Sequence, residues 1–266
     1  MLYQKALDIC AHHPGREYTH VAESLNELAA LYWRLARYGE AEPLFLRALS
    51  ICEGSLGSEH PKTAIVLSNL ARLYIDQHKY VEAESLFWRA RRICEQHLGA
   101  EHPDTAVVLS GLARLYANQK KYEQAEPLLL RALHANEQHL GTEHPDTAIV
   151  LISLARLYTN QRRYEEAEPL LLRALRVNEQ HLGTEHPDTA IVFISLARLY
   201  IEQESHGQAE PLLLHALHIY EHLLGKDHPR IATILADLGA LYTAQGRDEQ
   251  ATVYLAQAQK IRGNAG

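Results

Sequence analysis

No stretch of this 266-residue chain approaches the roughly 18–20 uncharged apolar residues that a membrane helix needs. The opening MLYQKALDIC lacks the charged-then-apolar layout of a secretory signal. Cysteine is scarce: Cys10, Cys52 and Cys94 make an odd count, which without a secretory signal reads as reduced thiols in a cytoplasmic setting. Basic charge is also short. A net charge of −7 argues against non-specific nucleic-acid binding, because phosphate contacts need a basic face. There is no phosphate loop, no Ser-His-Asp order and no paired cysteines, so no common catalytic or cofactor chemistry has sequence support. Proline-rich linkers are missing as well. Nine of the ten prolines fall in two recurring slots, and nothing marks a domain boundary.

What the chain has instead is one unit, repeated. Leu-Gly recurs at 56–57, 98–99, 140–141, 182–183 and 224–225, and His-Pro follows at 60–61, 102–103, 144–145, 186–187 and 228–229, both with a period of 42. Residues 103–144 and 145–186 share 33 of 42 positions, the mark of duplication. Even the three cysteines occupy one slot of the period, too far apart in sequence register to bridge, so the slot reads as structural.

Residues 145–186 show what one unit is. Val150, Leu151, Leu154, Leu157 and Tyr158 lie at helical spacing; a second run follows in Ala167, Leu170, Leu171, Ala174 and Leu175. The polar stretch Asn160–Arg163 separates them, and Leu182-Gly183 closes the second run, glycine being the usual residue past a helix end. Each unit is a helix, a tight turn, a helix and a loop. Neither helix hides its apolar face alone, so units must stack.

The recurring His-Pro-Asp-Thr places His144, Asp146 and Thr147 side by side, and His186, Asp188 and Thr189 in the next copy. As metal ligands these sets fail. Ligands of one ion bond it at about 2 Å, whereas equivalent histidines are separated by two helices packed about 8–10 Å apart. As helix punctuation they make sense. Proline loses nothing in the first turn, aspartate meets the positive end of the helix dipole, and histidine stands at the cap. No metal or other cofactor is expected. Pro169 raises a local question: it follows Tyr164-Glu-Glu-Ala-Glu168, so the second helix either starts after Tyr164 or bends at the proline.

Leu154-Ala155-x-x-Tyr158 with Tyr164-x-x-Ala167-x-x-x-Leu171-x-x-Ala174 resembles the tetratricopeptide repeat. That repeat has about 34 residues and a Trp-x-x-Leu-Gly opening; here Leu151 stands in the tryptophan slot and Ala155 in the glycine slot. The longer period, with "EHPDTA", "LARLY", "EAEPLLLRAL" and the closing "LG", is similar to the kinesin-light-chain type. The resemblance covers nearly the whole chain. It implies an all-α fold, a right-handed superhelical solenoid of stacked antiparallel helix pairs over residues 1–266. The expected parts are a partial repeat 1–18, full repeats 19–60, 61–102, 103–144, 145–186 and 187–228, and a capping repeat 229–262. The stretch 2–10 matches 44–52, so the chain opens inside a repeat, as part of a larger protein would.

In such stacks the first helices line the concave side. The stripe opposite their apolar face holds Ile65, Asn69, Arg72 and Asp76; Val107, Gly111, Arg114 and Asn118; Ile149, Ser153, Arg156 and Asn160; Ile191, Ser195, Arg198 and Glu202. Arg72, Arg114, Arg156 and Arg198 form a ladder with rungs roughly 10 Å apart. An extended peptide rising about 3.3 Å per residue would match them with a carboxylate at every third or fourth residue. Ser153, Ser195, Gly111 and Ser68 leave room for its backbone, and Trp33 offers an apolar anchor. Kinesin-light-chain repeats, which these resemble, bind such peptides in that groove. A structural alternative pairs the arginines with Glu84, Glu126, Glu168 and Glu210, which share one slot of the second helices.

The 42-spaced Tyr32, Tyr74, Tyr116, Tyr158, Tyr200 and Tyr242 read as core with a hydroxyl at the rim. Gln77, Gln119, Gln161, Gln203 and Gln245 precede the tight turn and read as satisfying its backbone. Trp88 and Phe193 replace leucines and read as core variants. The expected function is a non-catalytic scaffold for a protein or peptide, with an acidic segment in the groove, and neither nucleic acid nor membrane as partner. Two alternatives are a ligand-sensing or autoinhibitory arm of a larger signalling protein, such as a nucleotide-switch ATPase, and an element that self-associates through its truncated N-terminal repeat.

Overall fold

A computed structural model describes residues 17–264. Most of the expected partial repeat 1–18, Cys10 included, lies outside the described residues. Among them the chain is helical throughout, with no strand. The helices are α1 (Glu17–Arg34), α2 (Tyr38–Ser55), α3 (Pro61–Asp76), α4 (Tyr80–His97), α5 (Pro103–Asn118), α6 (Tyr122–His139), α7 (Pro145–Asn160), α8 (Tyr164–His181), α9 (Pro187–Glu202), α10 (His206–Leu224), α11 (Pro229–Ala244) and α12 (Asp248–Asn264). No described helix is long and apolar enough to cross a membrane.

The chain divides into two compact units, Met1–His139 and Leu140–Gly266. In the first, α1–α6 form three pairs; α2 packs on α3, α4 on α5, and the first helices touch in the order α1, α3, α5. In the second, α7–α12 repeat the arrangement, with α7, α9 and α11 as neighbouring first helices.

Small residues set the spacing within each pair. Ala71 and Ala83, Ala113 and Ala125, Ala155 and Ala167, Ala197 and Ala209 are fully buried, with leucines from the same stripes around them. Burial of this kind contributes about 25 cal/mol per Å² of apolar surface, and it is available only once neighbours are in place.

The His-Pro slot is punctuation, in detail. His60, His102, His144, His186 and His228 are N-caps in extended conformation, each with proline as the next residue. Each Nδ1 accepts the backbone N–H two residues on, at 3.1 to 3.2 Å. The threonine of the motif ties the first turn back to the preceding loop. Thr63, Thr105, Thr147 and Thr189 are buried, and each hydroxyl donates to the carbonyl of Gly57, Gly99, Gly141 or Gly183. Those glycines hold φ between 91° and 101°, which only glycine adopts without strain.

The tight turn inside each pair also goes left-handed, but on other residues: Ala36, His78, Lys120, Arg162 and Glu204 sit at φ 59–61°, and Gly246 takes the place in the last pair. The proline question is settled in favour of an early start: α8 begins at Tyr164 and runs through Pro169, as α2, α6 and α10 run through Pro43, Pro127 and Pro211.

Candidate functional site

The first unit brings four of the expected site residues into one cluster. α1, α3 and α5 lie side by side, so a residue of α3 faces its counterparts 42 positions away on either side. Asn69 donates from Nδ2 to Asn26 Oδ1 at 3.1 Å. Two turns on, Trp33 Nε1 donates to Asp76 Oδ2 at 2.7 Å. The other oxygen of Asp76 takes Arg114 Nη2 at 2.9 Å, and the same nitrogen reaches the Arg72 carbonyl at 3.2 Å. The Arg114 guanidinium stands 6.0 Å from the Trp33 ring centroid.

Arg72 is the exception in this cluster. No ion pair or hydrogen bond holds its guanidinium among the described residues. Burial, and then the like charge of Arg114, lower its pKa to about 10. The Nε of Arg114 is itself buried without a partner. The same environment raises the Tyr38 hydroxyl, through burial first and Asp76 second. Two guanidinium groups thus stand near each other with one carboxylate, which only Arg114 engages, and donors are left over. Asn118, at the end of α5, is exposed. The exposed Ile65 and Val107 supply apolar surface on the same face.

In the second unit Arg198 is satisfied: Nε and Nη2 reach Asp237 of α11 at 2.9 and 2.8 Å. Burial raises the pKa of Asp237 in spite of that arginine. Arg156 and Asn160 are exposed on α7. Ser153 and Ser195 donate their hydroxyls to the carbonyls of Ile149 and Ile191 in their own helices, at 2.9 Å each.

Several expectations need correction. At Arg114 and Arg198 the pairing partners are the aspartates Asp76 and Asp237, not glutamates of the second helices. Glu84, Glu168 and Glu210 accept the hydroxyls of Tyr116, Tyr200 and Tyr242 at 2.8 Å, and Glu42 accepts that of Tyr74 at 3.2 Å. Each bond runs from a first helix to the second helix of the preceding pair. A cation joins some of them: Lys79 bonds Glu42 and lies 4.9 Å from the Tyr74 ring, and Arg247 bonds Glu210 and lies 4.3 Å from the Tyr242 ring. At three of the five glutamine positions the side chain serves this latch rather than the turn's backbone: Gln77 donates to Glu42, and Gln161 and Gln245 accept from Arg163 and Arg247. Ser68 is buried and bonds Ala64, so it does not line the open face. Gly111 is buried too, and a Cβ there would collide with the Phe87 ring; it is small for the sake of that ring, not for a ligand. Phe193 is core as expected, but Trp88 is 46% exposed.

The family pattern described as Tetratricopeptide repeat matches residues 1–53, 20–96, 72–138, 104–180, 146–222 and 202–264. Among curated proteins nothing matches. Among solved structures, the chain is similar to BtubC (BKLC) from P. vanneervenii, at 23% identity over 88% of this chain and 91% of that one, with a TM-score of 0.64. It is similar to a putative kinesin light chain with nearly identical TPR-like repeats from Podosopora anserina, at 27% identity over 79% and 99%, with a TM-score of 0.58. A Rap protein complexed with Competence and Sporulation Factor shares 14% identity over 99% of this chain and 68% of its own, with a TM-score of 0.76.

Proposed function

Because the chain belongs to the tetratricopeptide-repeat family, we propose that it is a non-catalytic protein-interaction scaffold whose first helices take an extended segment bearing carboxylates. The single observation that carries this reading is Arg72, a desolvated guanidinium beside a second one, with no carboxylate of its own. Keeping such a group unpaired costs stability. A carboxylate from a ligand would relieve that cost by bidentate bonding, drawing on the spare donors of Arg114 as well. Trp33, with its N–H held by Asp76, would then carry the neighbouring apolar side chain of the ligand on its ring. The Rap structure, which holds a factor in complex, supports the use of this fold for recognition. The free, buried thiols Cys52 and Cys94, the latter raised by burial to about 11, fit a reducing cytoplasmic setting.

A peptide array probed with the purified chain tests the reading. Peptides with a carboxylate every third or fourth residue should bind better than their amide counterparts. Arg72→Ala should weaken them at least about tenfold, as expected for a desolvated charge-assisted pair. Equal binding of acidic and neutral peptides, with Arg72→Ala like wild type, would refute it.

A further inference from the structure

The second helix of one pair departs from its copies, and the departures cluster. α4 has Val81, Ser85, Trp88 and Arg91 where the corresponding slots of α6, α8 and α10 hold Glu or Gly, Pro, Leu and Leu. In a chain built by duplication the fold itself demands none of the four, since the other copies fold without them. The Trp88 slot is open in every pair, as the exposed Leu46, Leu130, Leu172 and Leu214 show. Val81, Ser85 and Trp88 follow one another at helical spacing along about 10 Å of α4, and Val81 is 80% exposed.

The polar surroundings are built around Trp88. Its indole stands near the Tyr116 hydroxyl of α5. Arg91 lies 4.9 Å from its ring centroid. Arg91 also bonds Glu95 at 2.9 Å, but Arg131 of α6 claims the same carboxylate at 2.8 Å. Arg89 and Arg92 are matched separately, to Glu53 at 2.6 Å and Glu59 at 2.8 Å. One carboxylate therefore serves two guanidinium groups beside an exposed indole. Trp88, Arg89, Arg91, Arg92, Glu95 and Gln96 line an open cavity of about 670 Å³ there. Tryptophan and arginine are the residues that dominate interface energetics.

We propose that this face of α4 is a docking site for a helix of a partner protein, one that presents an apolar side chain to Trp88 and a carboxylate one turn away to Arg91 and Arg131. Charge complementarity selects the carboxylate, because Glu95 alone is shared between those two arginines. A helix suits the face better than an extended strand. Most polar groups here are already engaged in ion pairs, so a partner must satisfy its own backbone, as a helix does. The site is separate from the Arg72 face and does not depend on the reading given to it.

The chain's two tryptophans distinguish the two faces, Trp33 on one and Trp88 on the other. Three synthetic Ala-Gln helices carrying Leu–Glu, Leu–Lys or Ala–Glu at i and i+4 would be titrated into labelled protein. The indole N–H signals would be followed by NMR, and binding by anisotropy of dye-tagged peptide. Trp88→Leu and Arg91→Leu restore the residues of the other copies, so both variants keep the fold. The Leu–Glu helix should move the Trp88 signal and leave Trp33 in place. Each reversion, and the change to Leu–Lys, should weaken binding at least about tenfold, while Arg72→Ala has no effect. The proposal is overturned by equal binding of the three helices, by reversions that bind like wild type, by a shift of Trp33 alone, or by no binding. It is also overturned if the Trp88 signal moves with protein concentration alone, which would assign the face to a second copy of the chain.

Discussion

Replacing Tyr200 with Phe removes one atom from the bond that joins α9 to the preceding helix α8. Tyr200 is 9% exposed, and its hydroxyl donates to Glu168 at 2.8 Å. Without it the half-buried carboxylate loses its donor, and a hydrogen bond to a charged group is worth about 1.5–3 kcal/mol. The loss should be largest near neutral pH and shrink in alkali. Burial, and then Glu168, raise the Tyr200 hydroxyl from 10.0 to about 12. A raised folded pKa means that the stabilisation is complete below the unfolded value and drains away as pH climbs toward the folded one. Between pH 10 and the folded value the native chain loses stability through this group, whereas the phenylalanine variant loses none there. A gap of about 2 kcal/mol at pH 7 should therefore shrink to roughly half or less at pH 11. Urea unfolding followed by far-UV circular dichroism at pH 7, 9 and 11 measures both curves, and every other titrating group cancels in the difference. A gap that stays constant or widens over this range would show that the hydroxyl does not carry the junction.

Gly111→Ala should lower stability by about 1–3 kcal/mol through overpacking against Phe87, and Phe87→Leu, the residue of the next three copies, should restore most of it in a thermal melt of the double variant. Lys120→Gly should stabilise by about 1 kcal/mol, because the left-handed φ of 60° strains lysine and not glycine; an unchanged melting temperature would count against strain in that turn. His228 caps α11 through Nδ1, and burial followed by Arg230 lowers its pKa from 6.5. Its contribution is present above pH 6.5 and lost as pH falls through the lowered value, so His228→Asn should flatten the acid side of the stability curve measured by urea unfolding.

The 42-residue period made the architecture legible, because recurrence at fixed slots identifies which positions face a neighbour even without coordinates. His144, Pro145 and Thr147 were readable as helix punctuation for the same reason. The partners of the arginines were not readable. Asp76 falls in a slot held by Asn118 and Asn160 in other copies, and Asp237 in one held by Ser153 and Ser195. A period identifies slots, and these two pairings depend on departures from it. The tyrosine–glutamate bond spans 32 residues across two pairs, a separation that reflects stacking geometry rather than any local pattern. Trp88 was misplaced because a leucine recurring at helical spacing suggests core, yet that slot looks into solvent in each copy. Its signal was present in the sequence, as four departures gathered on one helix.

The latch between pairs has a consequence for growth of the chain. Tyr116 meets Glu84, Tyr200 meets Glu168, and Tyr242 meets Glu210 through the same atoms at the same 2.8 Å. A hairpin arriving at such a seam finds identical hardware whichever sibling precedes it. Excising or inserting one whole 42-residue block leaves a tyrosine facing a glutamate at the new seam, so unequal crossover between near-identical stretches of the gene can lengthen or shorten the array without losing this latch.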